Sequence, residues 1–184
     1  LADVIITMDN NNNVVLTATT YNQGSGDVDY TGTVTVTGTS NKRLTIDTTA
    51  GDVSLVLSGL AINAGSTGPA LDITGGGTAE LELDGVNTLT TANGNNAALQ
   101  TTSGEVVIDD ANRTAGSLTG TNTNQNVYDG YGAGIGGAKN KAGNVTINGG
   151  NVTGNGSFNG AGIGGGGDTA TDGAGGVGNV TING

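Results

Sequence analysis

Residues 144–149 read Asn-Val-Thr-Ile-Asn-Gly, and residues 179–184 repeat the same six letters. A second block, Gly-Ala-Gly-Ile-Gly-Gly, occurs at residues 132–137 and again at 160–165. Internal repeats of this kind are typical of solenoid proteins, in which each copy is one unit that stacks on the next. The alternation of apolar and polar residues in Val-Thr-Ile-Asn is the two-residue period of a β-strand. The repeats therefore predict a stack of short strands.

Earlier copies appear when the repeat is reduced to two apolar residues that flank one outward residue. The first series is Leu55/Leu57, Leu81/Leu83, Val106/Ile108, Val145/Ile147 and Val180/Ile182, and the second is Leu71/Ile73, Ala97/Leu99, Ala133/Ile135 and Ala161/Ile163. Three of the four steps from a first-series pair to the next second-series pair span 16 residues. The basic unit is thus about 26 residues long, with insertions near 110–132 and 164–178.

Short strands joined by Gly and Asn turns in a unit of this length predict one coil of a parallel β-helix, so the predicted fold class is all-β. A third apolar position follows the first series in each unit, at Ile62, Leu89, Leu118 and Val152. We expect inward residues of successive coils to stack in columns, with Leu55 over Leu81 over Val106 over Val145 over Val180. Asn148 and Asn183 follow equivalent strands, where they form either a side-chain ladder or simple turns.

The N-terminal part is less regular. Residues 1–52 show the same alternation at unequal spacings, which predicts a cap or one to two irregular coils before the regular coils of residues 53–184. Residue 184 falls just after the first strand of a new coil. We therefore expect either a longer repeat array or an exposed end that stacks on another chain, an end-to-end self-association.

Composition excludes several classes of protein. The 184 residues include 37 Gly, 23 Asn and 29 Thr, which are poor helix formers. The chain has no Cys and no His, so disulfides, thiolate sites and the commonest general base are missing. A net charge of −11 disfavours nucleic acid and anionic membranes as partners. No apolar run approaches the roughly 18 residues of a membrane span, so we expect no membrane insertion.

Three stretches carry a family resemblance. Residues 53–63 read Val-Ser-Leu-Val-Leu-Ser-Gly-Leu-Ala-Ile-Asn, residues 68–73 read Gly-Pro-Ala-Leu-Asp-Ile, and residues 79–90 read Ala-Glu-Leu-Glu-Leu-Asp-Gly-Val-Asn-Thr-Leu-Thr. With the two repeated blocks they cover about residues 53–184, and they resemble bacterial cell-surface carbohydrate-binding β-helix proteins. The resemblance implies a right-handed, polysaccharide-lyase-like β-helix that binds plant or microbial cell-wall polysaccharide, sometimes with calcium, without established catalysis. The resemblance assigns a binding role to no individual residue of this chain.

The scarce aromatic residues mark a candidate glycan contact. Sugar recognition commonly uses an aromatic face flanked by hydrogen-bonding groups. Tyr128 and Tyr131 flank Asp129 within the first insertion, where Asn124 and Asn126 supply amides. The alternative is a loop that folds back, with its rings covering apolar surface.

Two acidic clusters are candidate calcium sites, although no cofactor is required for the predicted role. Asp27 and Asp29 lie in the N-terminal region, and Asp168 and Asp172 lie in the second insertion. Carboxylate, hydroxyl and carbonyl oxygens are the ligands that calcium prefers. Neither cluster fits the EF-hand spacing, and a plain acidic loop is the alternative for both.

The sequence contains few candidate catalytic residues. Asp109 and Asp110 are adjacent, and neighbours in a strand point to opposite faces, so one of them faces away from any shared site. Arg113 is a candidate base beside calcium; a solvated corner is the alternative for all three residues. We therefore predict no enzyme activity.

The sequence predicts a non-catalytic polysaccharide-binding or adhesion module of a secreted or cell-surface bacterial protein, with an extracellular location. The alternatives are a structural stalk or self-stacking filament segment, and a calcium-dependent polysaccharide lyase or hydrolase.

Overall fold

The computed structural model describes residues 3–168, 176 and 178–183. These residues form eighteen β-strands and no helix, so the all-β prediction is confirmed. Two sheets contain all of the strands, one of ten strands and one of eight. Every strand pair is parallel except two, both of which lie in the N-terminal region.

The strands are short and evenly distributed along the chain. The ten-stranded sheet contains β1 (Val4–Met8), β5 (Val34–Ser40), β7 (Val53–Asn63), β9 (Thr78–Asp84), β10 (Val86–Thr91), β12 (Glu105–Asp109), β13 (Ser117–Asn122), β15 (Asn144–Ile147), β16 (Asn151–Asn155) and β18 (Val180–Ile182). The eight-stranded sheet contains β2 (Val14–Leu16), β3 (Thr20–Asn22), β4 (Asp27–Asp29), β6 (Leu44–Asp47), β8 (Leu71–Thr74), β11 (Leu99–Thr101), β14 (Ile135–Gly136) and β17 (Ile163–Gly164).

The ten-stranded sheet divides at β7 because this strand is 11 residues long. One edge of β7 pairs with β5; the other pairs with β9 through residues 53–58 and with β10 through residues 61–63. Gly59 separates these halves with φ of +60°, a left-handed conformation that glycine adopts without a Cβ penalty. Gly85 has φ of +64° between β9 and β10. The result is one branch of β9, β12, β15 and β18 and a second of β10, β13 and β16.

Inward residues of paired strands stack into a continuous apolar core. Leu55 pairs with Leu81 at a separation of 26 residues, and Leu71 pairs with Leu99 at 28. The side chains of all four residues are buried. Burial of each such side chain stabilises the fold by about 1.5–3 kcal/mol. The strands are therefore held by this core together with the backbone ladder between coils.

The predicted columns are correct at three steps and displaced by two residues at others. Leu55 with Leu81, Val106 with Val145, and Val145 with Val180 are confirmed as pairs. The predicted step from Leu81 to Val106 is wrong, because Leu81 pairs with Ile108. A slip of two residues leaves every side chain on its original face, so alternation alone does not distinguish the two registers.

The same displacement occurs elsewhere in the chain. Leu71 pairs with Leu99 and not with Ala97, and Leu118 pairs with Asn87 and not with Leu89. The predicted insertion near 110–132 is accommodated in two places, a turn at 110–116 and a loop at 123–134, on either side of β13. The turn and the loop lengthen the connections, while the strands stay in register.

The residues before 53 contribute six strands. β1 and β2 pair in parallel with β5 and β6, so this region uses the same stacking as the rest of the chain. β3 and β4 form an antiparallel excursion at the edge of the eight-stranded sheet. Asp27 and Asp29 are exposed on β4. Charges on an edge strand disfavour pairing with another chain, so this excursion protects the edge.

The polar ladder at the end of the first branch is confirmed. Asn183 Nδ2 donates to Asn148 Oδ1 at 2.8 Å, one repeat unit apart. Three repeat units earlier, Ser58 Oγ donates to Asp84 Oδ2 at 2.9 Å. Side-chain hydrogen bonds therefore reinforce the backbone ladder at this corner.

Asn87 is a buried polar residue in the second branch. Its Oδ1 accepts the Leu60 N–H at 2.9 Å, and its Nδ2 donates to the Asp84 carbonyl at 3.2 Å and the Ser117 carbonyl at 3.1 Å. One side chain thus connects three successive repeat units. Because a buried backbone group without a partner is costly, Asn87 is a structural residue.

We expect Asn87→Ala to lower the free energy of unfolding by about 3 kcal/mol, because it leaves buried backbone groups unsatisfied. Urea denaturation followed by circular dichroism measures the change. Asn63→Ala is the matched control: Asn63 is exposed and only accepts the Gly65 N–H, so its loss should cost less than about 0.5–1 kcal/mol. Equal costs for the two variants would contradict the role assigned to Asn87.

In contrast to Asn87, Thr101 is a buried polar residue whose side chain is not satisfied by the described residues. It pairs with Ile73, which pairs with Ile46, so its side chain lies in an inward column. The Thr101 hydroxyl is buried and has no hydrogen-bond partner among the described residues. Such a group reduces stability, because it loses its bonds to water and gains none in the fold.

We expect Thr101→Val to raise the free energy of unfolding by about 1 kcal/mol, since valine has the same shape without the unsatisfied hydroxyl. Thr102→Val is the matched control at an exposed neighbour and should change stability by less than about 0.5 kcal/mol. Urea midpoints of both variants measure the difference. A lower midpoint for Thr101→Val would show that the hydroxyl is satisfied in solution.

Candidate functional site

An open groove crosses the outward face of the first branch of the ten-stranded sheet. Its volume is about 570 Å³. The residues that line it come from β7, β9 and β12, from the segment before β5 and from the residue after β15: Gly32, Thr33, Ser54, Leu55, Val56, Glu80, Leu81, Glu82, Val107, Asp109 and Asn148. We call this feature the groove. It runs perpendicular to the strands, along the direction in which the coils stack.

Strand register arranges the groove residues in two rows. Ser54 pairs with Glu80, and Glu80 pairs with Val107. In the second row, Val56 pairs with Glu82, and Glu82 pairs with Asp109. Neighbouring strands in a sheet are about 4.8 Å apart, so each row repeats at that distance. The groove therefore offers regularly spaced polar groups to an extended ligand.

The three carboxylates of the groove are held by hydrogen bonds from the chain. Glu80 Oε2 accepts from Ser54 Oγ at 2.6 Å. Glu82 Oε1 accepts the Asn112 N–H at 3.0 Å, and Asp109 Oδ1 accepts the Asp110 N–H at 2.8 Å. A carboxylate accepts up to about four hydrogen bonds, so each retains acceptor capacity. Ligand hydroxyl groups are suitable donors to these oxygens.

The candidate catalytic residues occupy different surroundings. Asp109 lines the groove, whereas Asp110 accepts the Thr114 N–H at 3.0 Å and the Gly116 N–H at 3.3 Å. Asp110 therefore closes the turn at 110–116. Arg113 is exposed in that turn with φ of +52° and does not line the groove.

The two candidate tyrosines of the loop at 123–134 differ in exposure. Tyr128 is 84% exposed, whereas Tyr131 is only 6% exposed. Tyr131 Oη donates to the Tyr128 carbonyl at 2.9 Å, and Lys139 Nζ lies 4.6 Å from the centre of the Tyr131 ring. One ring therefore faces solvent, and the other supports the loop.

Asparagine side chains shape the same loop. Asn124 Oδ1 accepts the Asn126 N–H at 2.9 Å, and Asn126 Oδ1 accepts the Tyr128 N–H at 2.9 Å. Asp129 is exposed beside Tyr128. The Asn124 and Asn126 oxygens therefore fix the backbone, which leaves the Asn126 NH₂ group as a donor for a ligand.

A second exposed aromatic residue lies next to this loop. Phe158 is 55% exposed, and its N–H donates to the Asn124 carbonyl at 3.2 Å. Asn159 Nδ2 donates to the Val127 carbonyl at 3.2 Å. We call Val127, Tyr128 and Phe158 the aromatic patch. The sequence alone does not point to Phe158, because it is 30 residues from Tyr128. A separation of about one repeat unit was the available signal.

Three of the four acidic candidates for calcium, Asp27, Asp29 and Asp168, lie among the described residues. Asp27 and Asp29 lie on the exposed edge strand β4, where Asn22 Nδ2 donates to Asp27 Oδ1 at 2.9 Å. Asp168 is described, and Asp172 lies outside the described residues. No group of three or more acidic side chains suited to a metal ion occurs within 3–168, 176 and 178–183. The calcium site stays a prediction.

Asp72 lies on the outward face of the eight-stranded sheet. Its Oδ1 accepts from Gln100 Nε2 at 3.0 Å, and Gln100 Oε1 accepts from Asn96 Nδ2 at 2.7 Å. Burial raises the pKa of Asp72, while the Gln100 hydrogen bond and the Arg43 charge oppose that shift. The folded chain therefore binds this proton more tightly than the unfolded chain does.

The raised pKa of Asp72 predicts a pH-dependent stability. Because the folded state holds the proton more tightly, stability falls as pH rises from the unfolded pKa, near 3.9, through the folded one. We expect Asp72→Asn to remove this loss, so the variant gains stability relative to wild type between pH 4 and pH 7. Urea midpoints across that range measure the gain. A gain that is independent of pH would contradict the assignment.

No protein-family profile matches the chain, and neither a curated protein nor a solved structure is significantly similar to it. The resemblance to carbohydrate-binding β-helix proteins stays a prediction from the residues quoted above. Within the described part of the chain, no helix has the length and apolar character needed to cross a membrane.

Proposed function

We propose that the protein is a non-catalytic polysaccharide-binding or adhesion module, and the groove is the observation that carries this proposal. It is open, about 570 Å³ in volume, and lined by carboxylate, hydroxyl and amide groups in rows. A linear polymer placed along the stacking direction meets a polar group on each of β7, β9 and β12. Many weak contacts of this kind give useful affinity when they act together.

The fold proposed for this role is a right-handed parallel β-helix. Support comes from the register, in which paired strands are separated by one repeat unit, as with Leu55 and Leu81. The turns support it as well, because backbone bonds continue between coils there: the Leu44 N–H donates to the Ala70 carbonyl, and the Ala70 N–H donates to the Ala98 carbonyl, both at 3.0 Å. Stacked coils of this kind present long, regular side faces.

The aromatic patch is proposed as a second sugar contact. Tyr128 and Phe158 expose rings that suit the apolar face of a pyranose ring. Asn126 and Asp129 supply a donor and an acceptor beside them. Tyr131 contributes by supporting the Tyr128 backbone through its hydroxyl group.

The negative charge of the groove limits the class of polysaccharide that it can bind. Glu80, Glu82 and Asp109 line it, and no Lys or Arg does. Like charges repel, so polyuronates should bind poorly unless calcium bridges the two carboxylate sets. The proposed ligand is a neutral polysaccharide of a plant or microbial cell wall, met outside the cell or at its surface.

Retention on insoluble cellulose, xylan, chitin, pectin and peptidoglycan, with and without a calcium chelator, tests the proposal. Val107→Arg places a long side chain in the groove, and we expect at least a tenfold loss of retention on the polymer that wild type binds. Val86→Arg is the matched control, because Val86 is 70% exposed on β10, outside the groove. Tyr128→Ala measures the contribution of the aromatic patch.

The outcomes separate the candidate functions. An equal loss of retention in Val107→Arg and Val86→Arg would show that the groove is not the binding site. If none of the polymers retains the wild-type protein, polysaccharide binding is overturned. Depolymerisation of any substrate would overturn the non-catalytic assignment.

A stalk or filament segment is the second candidate. The observation that favours it is β18, a strand at the edge of the described sheet, on which Val180 and Ile182 are exposed. End-to-end fibres in electron micrographs would support this candidate.

A further inference from the structure

A second cavity lies at a corner of the fold that shares no residue with the groove. Its volume is about 330 Å³. Three consecutive turns line it: Asn11, Asn12 and Asn13 after β1, Asn41, Lys42 and Arg43 after β5, and Thr67 after β7. We call this cavity the basic pocket. Stacking of the coils brings the three turns together.

The composition of the basic pocket contrasts with that of the whole chain. The chain has 5 Lys and Arg residues against 16 Asp and Glu, yet two of the five line this cavity as neighbours. No carboxylate and no apolar side chain is among the lining residues. An acidic protein therefore concentrates positive charge at one small concave site.

A hydrogen bond holds one amide of the pocket in place. The Arg43 N–H donates to Asn13 Oδ1 at 2.9 Å, and the Asn41 N–H donates at 2.7 Å to Oδ1 of Asn10, which precedes the lining residues. An asparagine side chain also carries an NH₂ group with two donors. The turns therefore supply donors in addition to the two cationic side chains.

Glycine makes room for the Arg43 guanidinium. A Cβ at Gly68 would lie 2.7 Å from Arg43 Nη1. The guanidinium thus packs against the backbone of the third turn, which limits its freedom. A planar, partly fixed guanidinium is suited to bidentate binding of an oxyanion.

Asp9 and Asp72 each interact with a residue that lines the pocket. Asp9 accepts the Asn11 N–H at 2.9 Å and Asn11 Nδ2 at 2.6 Å. Asp72, whose charge acts on Arg43, accepts from Gln100 on the outward face of the eight-stranded sheet. Neither carboxylate lines the pocket, so the pocket itself stays free for an anion.

We propose that the basic pocket binds one acidic sugar unit, through the oxyanion of a carboxylate or a sulfate ester. Arg43 and Lys42 bind the anionic group, and the amides with the Thr67 hydroxyl bind ring hydroxyls. The cavity is at the small end of the usual 300–1,000 Å³ range for ligand sites, which suits a single sugar. This site is independent of the polymer in the groove.

Titration of the isotope-labelled chain with galacturonate, galactose 6-sulfate and uncharged galactose, followed by amide chemical shifts, tests the proposal. We expect one or both anions to shift the Asn13, Asn41 and Thr67 signals, and galactose to bind at least tenfold more weakly. The two anionic probes distinguish a carboxylate from a sulfate ligand. Raising the salt from 50 to 300 mM should weaken anion binding.

Matched variants assign the effect to the pocket. Arg43→Gln should weaken anion binding at least tenfold, and Lys42→Gln should weaken it as well. Arg113→Gln removes the same charge from an exposed turn outside the pocket and should stay within twofold of wild type. Val107→Arg blocks the groove only and should leave anion binding intact, which separates this proposal from polysaccharide binding.

Three results would overturn the basic pocket as an anion site. They are no shift with either anion, galactose binding as tight as anion binding, and equal losses in Arg43→Gln and Arg113→Gln. If Arg43→Gln unfolds, as judged by circular dichroism, Lys42→Gln against Lys141→Gln gives the same comparison.

Discussion

The structure depends on parallel pairing between strands that are one repeat unit apart, with inward side chains kept in register. Backbone bonds between repeat units also continue outside the strands: the Ala70 N–H donates to the Ala98 carbonyl at 3.0 Å, and the Ala98 N–H donates to the Gly134 carbonyl at 3.1 Å. Once inward columns are fixed, the pleat also fixes which residues face outward, and in which row. The groove is therefore a consequence of core packing, because its rows are the outward counterparts of the Leu55 and Leu57 columns.

The same constraint explains glycines at inward positions of the second branch. Gly120 and Gly154 pair with each other on β13 and β16. A Cβ at Gly120 would lie 2.6 Å from Ile135 Cγ1, and one at Gly154 would lie 2.6 Å from Ile163 Cγ1. A large side chain from the eight-stranded sheet fills the space that glycine leaves. A small residue on one sheet is thus matched by a large residue on the other, which keeps the core closely packed.

The sequence was sufficient for the all-β class, the parallel strands and the Val106, Val145 and Val180 column, because apolar alternation determines which face is buried. It was insufficient for Leu81 with Ile108, since a slip of two residues preserves that alternation. Nothing in the sequence indicated the role of Asn87, whose amide connects three successive repeat units. The groove and Phe158 were missed for a related reason. Both depend on which outward residues become neighbours in successive repeat units, and the exact lengths of the segments between strands determine those neighbours.

The positions of the charged side chains also follow the arrangement of strands and turns. The outward rows of the first branch carry Glu80, Glu82 and Asp109, while Lys42 and Arg43 lie at a corner between strands. Turn residues vary freely because they contribute little to the core, so a corner can acquire cations without disturbing any column. A long acidic face and a compact basic pocket can thus coexist on one stack of coils. The groove and the basic pocket share no lining residue, so the two surfaces of the chain differ in charge.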